Sequence, residues 1–183
     1  MSDEAAQALR ELRAQIGKPI GLPSVAPDPV NQPMIRHWAA AFEDHNPVYT
    51  DASNAAASRF DGIVAPPMML QTWTMPTPKI TGIGARGGSP VETTTNPLAG
   101  LDAAGFIATL ATNSEVEIVR YLRLGEVITS TMEIESVSDE KQTRVGRGHF
   151  ITWVTTYRDE RGEVVGRQMF RILKFAPDLA ALS

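Results

Sequence analysis

The rhythm of apolar and polar positions changes about two-thirds of the way along the chain. Early apolar residues recur at helical spacing, and late ones alternate or form β-branched runs. Residues 4–16 read as a short, charged, alanine-rich surface helix. Residues 17–30 hold four prolines and two glycines and read as an extended entry segment, with an edge strand over 20–25 where proline is tolerated. Met34, Ile35, Trp38 and Phe42 share one helical face, with Asn31 as N-cap and Pro33 in the first turn. A second alanine-rich helix is expected over 51–58, then a turn at Asp61-Gly62 and a short apolar segment, Ile63-Val64-Ala65. Pro66-Pro67 precedes a buried helix over 68–75, which Pro76 and Pro78 stop because proline lacks an N–H and crowds the preceding turn.

Residues 77–105 are rich in Gly, Pro, Ser and Thr and read as a long irregular insertion. Loops of that length inside a compact domain are functional or mobile, and the part over 81–100 is expected to be poorly ordered without ligand. Strands follow over 115–121, 127–137, 146–157 and 164–175, the last two joined by a turn at Asp159-Glu160-Arg161-Gly162. Helices first and strands after predict an α+β fold with an antiparallel sheet.

Composition narrows the function. The 183 residues suit one domain, and 43% hydrophobic residues are enough for a real core. A net charge of −4 argues against a broad nucleic-acid-binding face. No apolar run approaches the roughly 20 residues needed to span a bilayer, and the first residues carry no secretory-signal pattern. With no cysteine there is no disulfide, thiol catalysis or Cys-ligated zinc, which fits a cytoplasmic protein. His37, His45 and His149 lack metal-site spacing, so no metal and no cofactor is expected.

The densest chemistry lies in Glu43-Asp44-His45-Asn46-Pro47-Val48-Tyr49, where an acid, an amide and a phenol fall within six residues. Each admits a structural reading. Asp44 suits a turn that hydrogen-bonds the backbone near Asn46, Tyr49 suits core packing, and His45 suits a solvated face. His37 and His149 fit solvated or partly buried faces. Met68, Met69, Trp73 and Met75 read as core or as pocket lining. Arg120, Arg123, Arg144, Arg147 and Arg167 fall on predicted strands or within two residues of one, as phosphate ligands or as an exposed sheet face.

This stretch resembles the signature of the MaoC-like hydratases, hot-dog-fold enzymes that add water to trans-2-enoyl thioesters. Their pattern is Asp-x-Asn-Pro-x-His. Asp44, Asn46 and Pro47 match, and Tyr49 stands in the place of the histidine. Asp61-Gly62-Ile63-Val64-Ala65-Pro66-Pro67 resembles the lead-in to the central helix of that fold. Leu122-Arg123-Leu124-Gly125-Glu126 resembles the family's turn of arginine, apolar residue, Gly and Asp, with Glu126 in the Asp place. The closing strands, from Gly146-x-Gly148 to Gly162-Glu163-Val164-Val165, are similar as well, so the likeness covers roughly residues 20–175. It is greatest to the N-terminal MaoC-like half of fatty-acid-synthase-type dehydratases and to the larger subunit of actinobacterial steroid side-chain enoyl-CoA hydratases, in which two different hot-dog units pair.

The resemblance implies a single hot-dog domain, a long central helix wrapped by the antiparallel sheet, over residues 20–176. Residues 1–19 would form the N-terminal helix and lead-in, 77–105 the insertion and 177–183 a tail. In the family, Asp and His activate water and move the proton, while backbone N–H groups at the start of the central helix hold the thioester oxygen. Here Tyr49 replaces the His, and Pro66-Pro67 replaces the usual His-Gly, so the motif Asp44, Asn46, Tyr49 is degenerate. The implied function is the non-catalytic or substrate-binding subunit of a heteromeric enoyl-CoA hydratase. Pro66, Pro67, Met68, Met69 and Trp73 would contact a bulky steroid side-chain acyl-CoA, and Arg120, Arg123, Arg144 and Arg147 are the CoA-phosphate candidates. The implied partner is a second MaoC-like hot-dog subunit with the intact Asp and His. A stand-alone homodimeric hydratase or dehydratase with a modified site, and a non-enzymatic acyl-CoA-binding or scaffold module, are the alternatives.

Overall fold

A computed structural model describes residues 3–83 and 96–178. The centre of the loop expected to be poorly ordered, residues 84–95, lies outside the described residues, as does most of the expected tail.

Six strands make one antiparallel sheet: β1 (Ser24–Val25), β2 (Ala108–Ile118), β3 (Thr129–Val137), β4 (Lys141–Thr143), β5 (Gly146–Arg158) and β6 (Val164–Pro177). Their spatial order is β1-β3-β5-β6-β2, with β4 beside β5. β5 and β6 have 13 and 14 residues, and at about 3.3 Å per residue they run for roughly 45 Å. Ile151 faces Ile172 across this pair, Trp153 faces Phe170, Thr155 faces Gln168 and Tyr157 faces Gly166. Directly opposed residues of an antiparallel pair share a face, so these positions line one side of the sheet.

Two separate packets cover that side. At one end the 3-10 helix Pro67–Thr74 packs Met69, Leu70 and Trp73 with Ile35, Tyr49, Ile128, Tyr157 and Val165. Helices α2 (Gln32–Ala41), α3 (Pro47–Thr50) and α4 (Ala52–Ala56) back it. At the other end α1 (Asp3–Arg13) and α5 (Ala99–Ala103) close over Ile134, Ile151 and Ile172.

The central helix is short and tightly wound, as the flanking prolines predict, and not the long helix that the resemblance implies. Both ends are set by residues that precede proline, which are driven out of helical geometry. Pro66, before Pro67, has ψ 134°, and Met75, before Pro76, has ψ 131°. Eight residues remain between them, and at about 2 Å per residue they cover roughly 16 Å, a third of the strands beneath. Met69, Leu70, Trp73 and Thr74 are buried, whereas Met68 is 62% exposed and Met75 56%. The expected stop before Pro76 is where the helix ends.

Other expectations need correction. α1 is half buried, because Ala5, Ala8, Leu9 and Leu12 form a helical stripe facing the sheet. Phe42, placed on the apolar face of α2, is 67% exposed and stacks on Trp38 with centroids 4.4 Å apart. β2 begins seven residues before the expected Glu115, and α5 forms inside the insertion, where Leu101 is buried. His149 is fully buried. Its Nδ1 lies 3.1 Å from the Ser138 carbonyl, and its ring is edge-on to Phe106.

The helix reaches the sheet because Gly166 has no side chain. A Cβ there would lie 2.6 Å from Leu70 Cδ2 and 2.8 Å from the backbone oxygen of Glu117. Gly166→Ala is therefore expected to force a backbone shift and cost about 1–3 kcal/mol, as overpacking does. Thermal melting of the two proteins checks this, and an unchanged Tm would contradict it.

Candidate functional site

The Asp-x-Asn-Pro stretch builds corners of the backbone. α2 ends at Ala41, and Glu43 turns the chain with a left-handed φ of 52°. Asp44 Oδ1 then accepts the Asn46 N–H at 3.0 Å. Asn46 Oδ1 caps α3 by accepting the Val48 N–H at 3.3 Å, and Asp51 caps α4 by accepting the Asn54 N–H at 2.9 Å. Tyr49 is buried, and Gln32 Nε2 donates to its carbonyl at 2.8 Å. Burial pushes the Tyr49 phenol up, and Tyr121 and the Asp44 carboxylate push the same way against the Asn46 amide. A phenol held protonated at neutral pH is no ready base. His45 is exposed. Ala65 N–H donates to the Leu122 carbonyl, which seats the helix lead-in against the 122–126 turn. Pro66 is buried, and Pro67 opens the helix without an N–H to offer an oxyanion.

Beyond the short helix, the middle of the sheet, which no helix of the described residues covers, lines a cavity of about 940 Å³. Its floor is Met132, Trp153, Phe170 and Ile172, and its rim includes Ile20, Leu22 and Leu98. The end nearest the helix is polar, with Gln71, Tyr157 and Gln168. A smaller hollow of about 190 Å³ adjoins it at β2, lined by Met68, Leu70, Gln71, Ser114, Val116 and Gln168. Of the residues singled out as substrate contacts, only Met68 lines either space. Met69 and Trp73 pack into the core beneath the helix. The sequence reading missed Trp153, Gln168 and Phe170. Their signal is a polar side chain, Gln168, among large apolar ones at alternating strand positions.

The arginines do not converge. Arg120 bonds Glu126 Oε1 at 2.8 Å and Asp159 Oδ2 at 2.7 Å, beside exposed Arg123, around a polar hollow of about 370 Å³. Arg147 sits at the far end of β5, paired with Glu140 at 3.1 Å and lying over the Phe106 ring. Arg144 is exposed in the turn before β5, and Arg167 meets Glu117 at 3.4 Å. The 11 residues between Arg147 and Asp159 hold the two roughly 40 Å apart along the strand, too far for one diphosphate to touch both groups.

The Arg120 cluster sets a pH response. Burial works to raise the Asp159 carboxyl, but hydrogen bonds from Arg120 and from the Glu163 and Arg161 N–H groups outweigh it, and the group lies below the usual carboxylate range. A depressed carboxyl stabilises the fold above its unfolded pKa of about 3.9 and loses that contribution as pH falls through its folded value. Asp159→Asn is expected to lower Tm at neutral pH and to flatten the acid limb below about pH 4. Parallel Tm-against-pH curves would refute this.

Comparison with known proteins places the chain. The model of the FAS1-like dehydratase domain region matches residues 14–168. A probable enoyl-CoA hydratase alpha subunit from Thermomonospora curvata is 43% identical over 92% of this chain and 52% of its own length. The 3-oxo-4,17-pregnadiene-20-carboxyl-CoA hydratase alpha subunit of Mycobacterium tuberculosis is 42% identical over 85% of this chain and 48% of its own. The chain thus spans about half the length of these relatives. A chain of the ChsH1–ChsH2 complex from Mycobacterium tuberculosis superimposes with TM-score 0.78 at 38% identity, covering 95% of this chain and 92% of that one. The chain belongs to the FAS1-like dehydratase family of MaoC-like hot-dog proteins.

Proposed function

We propose that this chain is the substrate-holding, non-catalytic subunit of a heteromeric trans-2-enoyl-CoA hydratase acting on a bulky acyl-CoA, with a steroid side-chain enoyl-CoA as its substrate. The observation that carries this reading is the cavity of about 940 Å³ left by the short helix, the size of a site for a large ligand. Its floor of Met132, Trp153, Phe170 and Ile172 suits a rigid hydrocarbon. Two curated relatives are alpha subunits, one named for a pregnadiene carboxyl-CoA, and one solved relative is a chain of a ChsH1–ChsH2 complex.

The degenerate motif supports the non-catalytic half of the reading. Hydration needs a base for water, a proton at C2 and donors to the thioester oxygen. Asp44 is engaged in a turn, Tyr49 is a buried phenol, and Pro67 has no N–H. A second MaoC-like hot-dog subunit would supply the Asp and His. β2 suits such pairing. It is an eleven-residue edge strand, exposed from 109 to 115, and Leu110 is 44% exposed. Proteins rarely leave so long an edge open. Of the four arginine candidates, Arg123 and Arg144 make no ion pair among the described residues; they lie at opposite ends of β5, so at most one of them would serve the phosphates of one CoA. A cytoplasmic location belongs to the same reading.

Hydration assays with and without a co-expressed MaoC-like neighbour test it. Activity is expected only in the complex. Asp44→Asn is expected to lower that rate by less than the roughly 10²–10⁴-fold typical of a lost general base. A fused-ring enoyl-CoA should give the higher kcat/KM than a short linear one. Turnover by the chain alone would make it a homodimeric enzyme instead, and thioester binding without turnover in either preparation would make it a binding module.

A further inference from the structure

The two cavities meet at a pair of glutamines. Gln71 and Gln168 line both the large cavity and the hollow beside β2. Gln71 is exposed on the 3-10 helix between buried Leu70 and Trp73, and Gln168 faces Thr155 across the sheet. The Tyr157 hydroxyl donates to Gln168 Oε1 at 3.1 Å, so that oxygen is already engaged. Gln168 Nε2 divides its donation between Gln71 Oε1 and Ser114 Oγ, each at 3.3 Å. Both bonds are long for N–H···O, and both are replaceable. The Gln71 amide nitrogen donates to no described residue.

We propose that Gln71 and Gln168 form a polar collar that binds a carbonyl oxygen of the acyl-CoA, at the point where the ligand passes from the large cavity, which holds its bulky group, into the hollow. Tyr157 acts as the positioning residue that turns the Gln168 N–H₂ toward the ligand. This rests on the cavity being the acyl site. A hydrocarbon group seated there displaces water from the collar, and amide N–H groups shut away from water need an acceptor. The free capacity of the collar is mainly for donation, so it favours a carbonyl oxygen over a hydroxyl, which must also find an acceptor. Burial keeps the Tyr157 hydroxyl protonated up to about pH 12, so the orientation of Gln168 holds across the working range. A carbonyl at the collar belongs either to the thioester or to the adjoining ring.

Calorimetric titration of the protein, with any partner it retains, separates these cases using three probes. One is a saturated fused-ring acyl-CoA thioester with hydrocarbon rings. The second is its thioether analogue, which has no carbonyl at that position, and the third is the thioether bearing a ring ketone. Gln168→Leu and Gln71→Leu are expected to weaken at least one carbonyl-bearing probe by roughly tenfold, leaving the carbonyl-free thioether within about twofold. The probe that loses affinity identifies the source of the oxygen. Tyr157→Phe is expected to lose the same selectivity in part. Equal losses on all three probes, or none on either carbonyl-bearing probe, would overturn the collar. Gln71 is exposed, so Gln71→Leu keeps the test open if Gln168→Leu fails to fold. Failure of the unsubstituted protein to bind any of the three would instead overturn the acyl-site reading, and the collar with it.

Discussion

Pro66 before the central helix, Pro67 as its first residue and Pro76 just past its C-cap hold that helix to eight residues, and the rest of the architecture follows from this limit. A sheet with strands of 13 and 14 residues exposes an apolar face that must be covered. The short helix covers one end, pressed close by the bare backbone of Gly166. The other end needs separate cover, and α1 with α5 provides it. Those two helices approach so closely that a Cβ on Gly100 would lie 3.0 Å from the Ala8 Cβ. No helix of the described residues lies above the middle, and the large cavity is there between the two packets.

The family motif divides along the line between backbone and chemistry. Asp44 and Asn46, the side chains that match, are the ones whose oxygens accept backbone N–H groups. Pro47, which also matches, opens α3 in the first-turn position that suits it. The positions that depart, Tyr49 and Pro66-Pro67, hold no such capping bond through their side chains. A corner needs its turn and its caps whether or not a reaction takes place beside it. A base or an oxyanion donor is needed only where the reaction does take place.

Much of the fold is legible in the sequence, because alternation marks β3, β5 and β6 and proline marks both ends of the central helix. What is not legible has physical reasons. The first half of β2, Ala108 to Ser114, is an exposed edge, so no buried face imposes alternation on it. α5 is five residues held by the burial of Leu101 against α1, too short to show a period. The site is the least legible part. Trp153, Tyr157, Gln168 and Phe170 occupy inward strand positions where core residues also belong, and the early end of the central helix at Thr74 makes them cavity wall among the described residues. Met69 and Trp73 admit either core or pocket lining in the sequence, and the helix presses both into the core beneath it.

The sheet edge and the ligand path are coupled through shared residues. Ser114 and Val116 belong to β2, and with Met68 and the two glutamines they also line the small hollow. A strand added along β2 would bond to backbone groups and leave these side chains in place. In the proposed assembly the hollow would therefore become a seam between two sheets, open on one side to the deep cavity and on the other to the partner. A bulky acyl group held in the cavity would then carry its thioester through the collar toward the subunit that has the catalytic groups. Neither half of such a site needs the whole motif, and the departures at Tyr49 and Pro66-Pro67 cost nothing if the reacting carbon lies on the far side of the seam.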